Sequence, residues 1–379
     1  MKEHKINVKV CFFIPNFEIG GIEVSYMKLC NNLITKIQNI ELVYCEDIGP
    51  LRKDFDSRVN MVCLNKTRMA TVILALKQYY ETSKPDIFIT PMFMLGNAAI
   101  IARILSSHKP KIIIGARSTF SEVLKSFDSR FKYVSLYLLS RILFPLADKI
   151  ISVSNGVRND LSSTLNIDLS KINTIYNPVI DNHHIKANHQ LPNHPWFRNK
   201  SKDCKIIICI GRLAEEKAFD EVIDVFSKIN DPENVKLLII GEGMLKSSLI
   251  KLIDALELNE KVQILDFQTN YLSFLAFADI FVLNSKFEGL PGILIEALAL
   301  DCRVISSNCD HGPKEILLNG KHGILFPVGN KDALLQAIEF SLKEKDYKNS
   351  FKPFDSNFTV RVSTQQYLQE INKLIEDKS

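Results

Sequence analysis

Short apolar runs rich in β-branched residues alternate with amphipathic stretches of helical period from one end of this chain to the other. Strands joined through helices run parallel, since a parallel pair needs a crossover connection, and the helices then cover both faces of the sheet. In the first half, strands are predicted at Val8 to Ile14, Glu41 to Cys45, Ile87 to Thr90, Lys111 to Gly115, Lys149 to Ser152 and Asn173 to Tyr176. A second series is predicted at Lys205 to Ile210, Val235 to Ile240, Val262 to Leu265, Ile280 to Leu283, Arg303 to Ser306 and Ile324 to Phe326. Between the two, from Asn177 to Asp203, periodicity lapses and Asn, His and Pro collect, as in Asn177-Pro178 and His189-Gln190-Leu191-Pro192-Asn193-His194-Pro195. That is the composition of a linker.

A length of 379 residues is too great for one ordinary core and suits two. The expected domains are 1–178 and 203–357, with a linker at 179–202, and the helical pattern at 358–379 is expected to pack back on the first domain. The predicted fold class is α/β, two doubly wound Rossmann-like domains facing each other across a cleft. Such sheets bind ligands at the carboxyl ends of their strands.

Net charge is divided unevenly. Met1 to Pro178 carries 23 Lys and Arg against 15 Asp and Glu, and the remainder 24 against 28. A basic first half fits an anionic partner, a phosphate-bearing substrate or a membrane surface, though plain variation between solvated surfaces gives the same balance. The segment Ser121 to Lys149 sharpens the question, because Lys125, Arg130, Lys132 and Arg141 alternate there with Phe127, Phe131, Tyr133, Tyr137 and Phe144. A basic amphipathic surface is expected to make peripheral contact with anionic membrane. The alternative is that these aromatics fill the core. No nucleic-acid partner is expected. The apolar run from Val10 to Pro15 is too short for a signal sequence, and Tyr133 to Ala147 falls short of the roughly 20 residues of a membrane span. The expected location is therefore the cytoplasm, with at most a peripheral place on the inner face of the membrane. The eight cysteines form no CxxC pair and read as buried thiols. His183, His184, His189 and His194 read as solvated linker residues with no metal-ligand spacing.

Three motifs carry chemistry. Gly20-Gly21-Ile22-Glu23 follows the first strand, where glycines let amides approach an anion at a helix N-terminus; a tight turn without ligand accounts for the same pair. Gly211-Arg212-Leu213 with Lys217 follows the first strand of the second series, and a guanidinium and an ammonium there make a diphosphate clamp. The alternative is two solvated basic residues in a loop. Most specific is Phe287-Glu288-Gly289-Leu290-Pro291-Gly292-Ile293-Leu294-Ile295-Glu296-Ala297. Pro291 suits the first turn of a helix, which puts Glu288 in the loop before it and Glu296 more than one turn inside. The two carboxylates are then on the order of 10 Å apart, and free amides from Gly289 to Gly292 lie between them to meet phosphate or sugar oxygens.

These motifs, with Gly241-Glu242-Gly243 and Gly312-Pro313-Lys314-Glu315-Ile316, resemble in order those of the family-four, or group 1, retaining glycosyltransferases of the GT-B fold. The resemblance spans almost the whole chain and is more specific in the second half. It implies transfer of a sugar from a nucleotide-diphosphate donor, a UDP-sugar, to a glycan or lipid-linked acceptor. Arg212 and Lys217 would bind the diphosphate, Glu288 the hydroxyls of the transferred sugar, and Glu296 the ribose. Glu288, Arg212 and Lys217 are then the candidate catalytic residues. Gly20, Gly21, Gly211, Gly289, Leu290, Pro291, Gly292 and Ile293 complete the candidate donor site. No metal and no cofactor are implied, since cations and helix N-termini do that work. Cys309-Asp310-His311-Gly312-Pro313-Lys314-Glu315 is most like members that build bacterial surface polysaccharide, lipopolysaccharide, capsule and lipid-linked glycans. Two departures stand out. Where many members have a histidine, this chain has Gly115-Ala116-Arg117-Ser118-Thr119, with Arg117 a candidate for phosphate or acceptor contact, and after Lys217 the usual glycine is Ala218.

A dinucleotide-dependent dehydrogenase needs G-x-G-x-x-G and a Walker-type triphosphatase G-x-x-x-x-G-K-[ST], and neither occurs. A sugar-nucleotide epimerase of the same fold and a non-catalytic nucleotide-sugar-binding module remain as alternatives. The first would consume donor without acceptor, and the second would bind donor without turnover.

Overall fold

The computed structural model describes residues 5–91, 93–125, 129–181, 190–230, 234–344 and 356–376. Phe127, His183, His184 and His189 lie outside the described residues. The chain divides into two compact units, Met1–Pro178 with Asn357–Ser379, and Val179–Ser356.

The first unit holds β1 (Ile6–Ile14), β2 (Ile37–Tyr44), β3 (Asn60–Cys63), β4 (Ile87–Pro91), β5 (Lys111–Ala116), β6 (Lys149–Ser152) and β7 (Ile172–Thr174), in the order β3-β2-β1-β4-β5-β6-β7. All neighbours are parallel. The order reverses between β1 and β4, which makes the crevice at their carboxyl ends the ligand position of this sheet. Its helices are α1 (Gly21–Leu33), α2 (Met69–Ser83), α3 (Phe93–Leu105), α4 (Phe120–Lys125), α5 (Arg130–Leu143) and α6 (Asn155–Leu165). β1 is apolar on both faces because it lies centrally, and Val10 through Ile14 are fully buried.

A buried charge on β2 is matched by its neighbours. Glu41 on β2 accepts from Tyr79, from Ser83 at 2.7 Å and from Asn60 at 3.1 Å, with the Lys9 ammonium 3.6 Å away. Buried carboxylates persist when their lone pairs are filled in this way.

The second unit holds β8 (Lys205–Ile210), β9 (Val235–Ile240), β10 (Val262–Leu265), β11 (Ile280–Leu283), β12 (Arg303–Ser307) and β13 (Ile324–Phe326), in the order β10-β9-β8-β11-β12-β13, all parallel. Here the order reverses between β8 and β11. Its helices are α7 (Pro195–Arg198), α8 (Phe219–Phe226), α9 (Lys246–Ala255), α10 (Tyr271–Phe277), α11 (Gly292–Ala299), α12 (Pro313–Ile316) and α13 (Lys331–Lys343). The chain then returns to the first unit as α14 (Val360–Glu376), whose Tyr367, Ile371 and Leu374 enter one apolar cluster with Leu29, Cys30 and Leu33 of α1.

The doubly wound α/β reading holds in both units, with differences in detail. β3 was not foreseen, because Asn60-Met61-Val62-Cys63 is short and starts on a polar residue, with only its edge position to form it. β2 starts earlier than Glu41, and β7 ends before Tyr176. The stretch 190–202, expected as linker, is built into the second unit. Lys200 donates to Asp279 at 2.5 Å, and Phe197 stacks edge-on against Phe274 at 5.5 Å. His194 is buried where a solvated residue was expected; it caps α7 through the amide of Trp196 and meets Gln263 at 3.1 Å. Of the cysteines, Cys63 is exposed, Cys204 is half-buried and the other six are buried, all as free thiols.

Candidate active site

In the second unit the loops after β8, β9, β11 and β12 meet at the carboxyl ends of the strands, and glycines set how close they come. A Cβ on Gly241 would fall 1.9 Å from the Gly211 carbonyl oxygen, so the loop after β9 lies directly on Gly211-Arg212-Leu213. The Leu213 amide donates to the Glu242 carbonyl at 2.7 Å across the same contact. On the other side, Gly312 has φ +98°, and a Cβ there would be 2.6 Å from Pro291 Cδ, so the loop after β12 is pressed against the glutamate loop.

Lys217 and Glu288 meet across the β8–β11 reversal, Nζ to Oε1 at 2.5 Å, both largely buried. Ser285, two residues beyond β11, donates to the same Oε1 at 2.7 Å, and Ser307 donates to the Ser285 carbonyl at 2.6 Å. The carboxylate is thus oriented by a cation and a hydroxyl, and the backbone that carries the hydroxyl is itself held by Ser307. Lys217 sits on a single 3-10 turn, Glu215–Lys217, that ends at Ala218 with φ +45°. A left-handed alanine costs about 1 kcal/mol, which is the physical content of having Ala where a glycine is usual.

Arg212 lies in the same loop, but its side chain is 75% exposed and pairs with Glu216 at 2.6 Å. Pro291 precedes α11 as its N-cap, one place before the first turn expected for it, and the helix starts at Gly292. Gly289, Leu290 and Pro291 form the entry loop. Gly292 and Ile293 open the helix, where the first N–H groups lack helical acceptors. Glu296 lies one turn further, 9% exposed, and accepts from the Tyr271 hydroxyl of α10 at 2.9 Å. Nearby, burial pushes the Cys309 thiol up to about 12, with the Glu288 charge adding to the effect, so this cysteine is an inert wall residue. Ser285 and Tyr271 were not singled out in the sequence. Ser285 had one signal, its place at a strand's carboxyl end three residues before Glu288, and Tyr271 had none.

In the first unit Gly20 is the N-cap of α1 and Gly21 its first residue, at the carboxyl end of β1. Glu23 folds back over Gly20, where a Cβ would be 2.4 Å from its Oε2, and burial raises its pKa. Arg117, the candidate for phosphate or acceptor contact, lies just after β5, is 8% exposed and is held by partners within the first unit. It donates to Asn177 and, at 3.0 Å, to the Tyr367 hydroxyl, and its guanidinium lies 4.6 Å from the centre of the Tyr26 ring.

Among the described residues no three His, Cys, Asp or Glu side chains gather into a metal-holding group. One Asp-x-Asp triplet occurs, Asp54-Phe55-Asp56 in the first unit, and there Arg58 holds Asp56 through two bonds of 2.8 and 2.7 Å.

The comparisons with known proteins agree with this architecture. Residues 19–183 match the family described as Glycosyltransferase Family 4, and residues 192–355 match Glycosyl transferases group 1. The N-acetylgalactosamine-N,N'-diacetylbacillosaminyl-diphospho-undecaprenol 4-alpha-N-acetylgalactosaminyltransferase of Campylobacter jejuni is 31% identical over 67% of this chain and 67% of its own. The capsular polysaccharide biosynthesis glycosyltransferase CapM of Staphylococcus aureus is 25% identical over 90% of this chain and 92% of its own. Among solved structures, Anabaena Alr3699/HepE in complex with UDP and glucose has a TM-score of 0.78 at 15% identity, covering 97% of this chain and 100% of that one. The chain belongs to the family-4 glycosyltransferases of the GT-B fold, with relatives in bacterial capsule, lipopolysaccharide and lipid-linked glycan biosynthesis.

Proposed function

We propose that the protein moves a sugar from a UDP-sugar to a glycan or lipid-linked acceptor with retention of configuration, without a divalent metal, in the building of a bacterial surface polysaccharide. The observation that carries the reading is the Lys217–Glu288–Ser285 cluster at the β8–β11 reversal. An incoming diphosphate gives Lys217 a second anionic partner and leaves Glu288, still oriented by Ser285, to accept from the sugar's hydroxyls. Arg212 is exposed and mobile enough in charge placement to trade Glu216 for phosphate, since a surface pair of this kind is worth at most about 1 kcal/mol. Glu296 takes the ribose. Cations and amides stabilise the departing diphosphate, which is the part a metal plays elsewhere. UDP is supported by the HepE complex, whose description names UDP and glucose, and a lipid-linked acceptor by the name of the Campylobacter relative.

We also infer a cytoplasmic protein that rests on the inner face of the membrane. No helix of the described residues is long and apolar enough to cross a membrane. Instead α5 turns an apolar face outward: Phe131 is 81% exposed and Ile142 67%, with Tyr133, Val134, Leu138, Leu139 and Leu146 exposed beside them. Arg130, Lys132 and Arg141 on the same helix are exposed too. Phe144 alone of the described aromatics in this stretch is fully buried. An exposed apolar stripe flanked by cations fits the headgroup layer of an anionic bilayer.

The deciding experiment is a donor screen by calorimetry and slow hydrolysis with UDP-, GDP- and ADP-sugars, followed by anomeric analysis of the product. Preference for a UDP-sugar is expected, with the product keeping the donor's configuration. Selection of GDP or ADP, or an inverted product, would overturn those parts of the reading.

A further inference from the structure

We infer that Tyr271 is a positioning residue for donor binding, which locks the carboxylate of Glu296 in the orientation that the ribose hydroxyls require. The inference rests on the proposal that Glu296 holds the ribose. Glu296 sits in the second turn of α11 on a side chain with three rotatable bonds, and the Tyr271 hydroxyl donates to its Oε1 at 2.9 Å. A hydrogen bond to one oxygen fixes the plane in which the carboxylate faces a diol.

Tyr271 is itself well placed. It is the first residue of α10, directly after the loop that follows β10, and its ring centre lies 6.2 Å from that of Phe267 in the same loop. Burial, and then the neighbouring Glu296 charge, keep its hydroxyl protonated far above neutral pH, so its role is that of a donor throughout. The bond therefore ties the start of α10 to α11, and an orientation fixed before the ligand arrives removes an ordering cost from binding.

The test is a cycle with UDP and 2′,3′-dideoxy-UDP, measured calorimetrically on the full chain as wild type, Tyr271→Phe, Glu296→Gln and the double variant. The bond lost lies within the protein, so only the ordering of Glu296 is taken from the binding step, and UDP binding is expected to weaken roughly 3- to 10-fold in Tyr271→Phe. Binding of the dideoxy nucleotide should be unchanged in that variant, kcat with saturating donor unchanged, and the double variant no weaker than Glu296→Gln. UDP affinity at the wild-type level in Tyr271→Phe overturns the inference while leaving the ribose reading standing. So does an equal loss for both nucleotides, which marks a purely structural tyrosine. Wild-type UDP binding in Glu296→Gln removes the ribose reading itself and the inference with it. Melting temperatures of all four proteins establish that each is folded.

Discussion

Glu288 takes hydrogen bonds from Lys217 and Ser285 on a single oxygen, which fixes one rotamer before any substrate arrives. An amide at that position cannot accept in the same way, so Glu288→Gln is expected to lower kcat by on the order of 100-fold with donor KM little changed. Glu296→Gln should do the reverse, raising donor KM about tenfold with kcat kept, since a ribose contact contributes equally to ground and transition states. Steady-state kinetics separates the two, and unchanged constants in both variants would remove them from the donor site. Glu41 governs a different property. Burial pushes its carboxyl up, but the hydrogen bonds from Tyr79, Ser83 and Asn60, with the Lys9 charge, outweigh that and bring it below the ordinary value. A depressed folded pKa stabilises fully above the unfolded carboxylate's pKa, and that stabilisation is lost as pH falls through the folded one. Melting temperatures recorded from pH 7 down to pH 3 should therefore fall more steeply for wild type than for Glu41→Gln, whose own cost at neutral pH is about 2 kcal/mol.

At the scale of elements, α5 makes the sharpest prediction. Phe131 and Ile142 are exposed, so Phe131→Ser with Ile142→Ser should leave the free energy of unfolding within about 0.5 kcal/mol of wild type. The pair should abolish flotation with anionic liposomes at low salt, and the wild type should lose it at high salt. Wild type that never floats would end the membrane reading. The same helix marks a limit of the sequence. Aromatics at helical spacing look alike whether they face a core or a bilayer, and only the neighbours that α3 supplies to Leu136 and Ser140 decide the inner side. By contrast, β8, β9 and β11 were legible, because central strands buried on both faces read as nearly continuous apolar runs. Candidate site residues on those strand ends were legible for a related reason, since loops after parallel strands are where such sheets carry ligands. Contacts between distant loops were not. Tyr271 and Glu296 lie 25 residues apart, and Arg117 meets Tyr367 across 250, separations at which spacing carries no signal.

At the scale of the whole molecule, turnover is expected to survive a chelator unchanged; activity that vanished in chelator and returned with magnesium or manganese would assign the diphosphate to a metal instead of Lys217 and Arg212. Deleting 357–379 removes Tyr367, Ile371 and Leu374 from the first unit's core. At about 2 kcal/mol for each buried side chain the loss is comparable to a domain's entire stability. The first unit should then unfold while the second keeps its nucleotide affinity, as limited proteolysis and calorimetry would report. That asymmetry follows from the order of the chain, in which Val179–Ser356 is one uninterrupted insertion into the other unit. The two ends of the host are stitched together: Ser363 donates to the Tyr176 carbonyl at 2.8 Å, and the rings of Tyr176 and Phe358 meet edge-on at 5.0 Å. A segment whose exit and return share one anchorage behaves as a cassette. A relative's second unit can be spliced in with two joins, and on the proposed reading, which puts Lys217, Glu288 and Glu296 in that unit, the choice of sugar would travel with it.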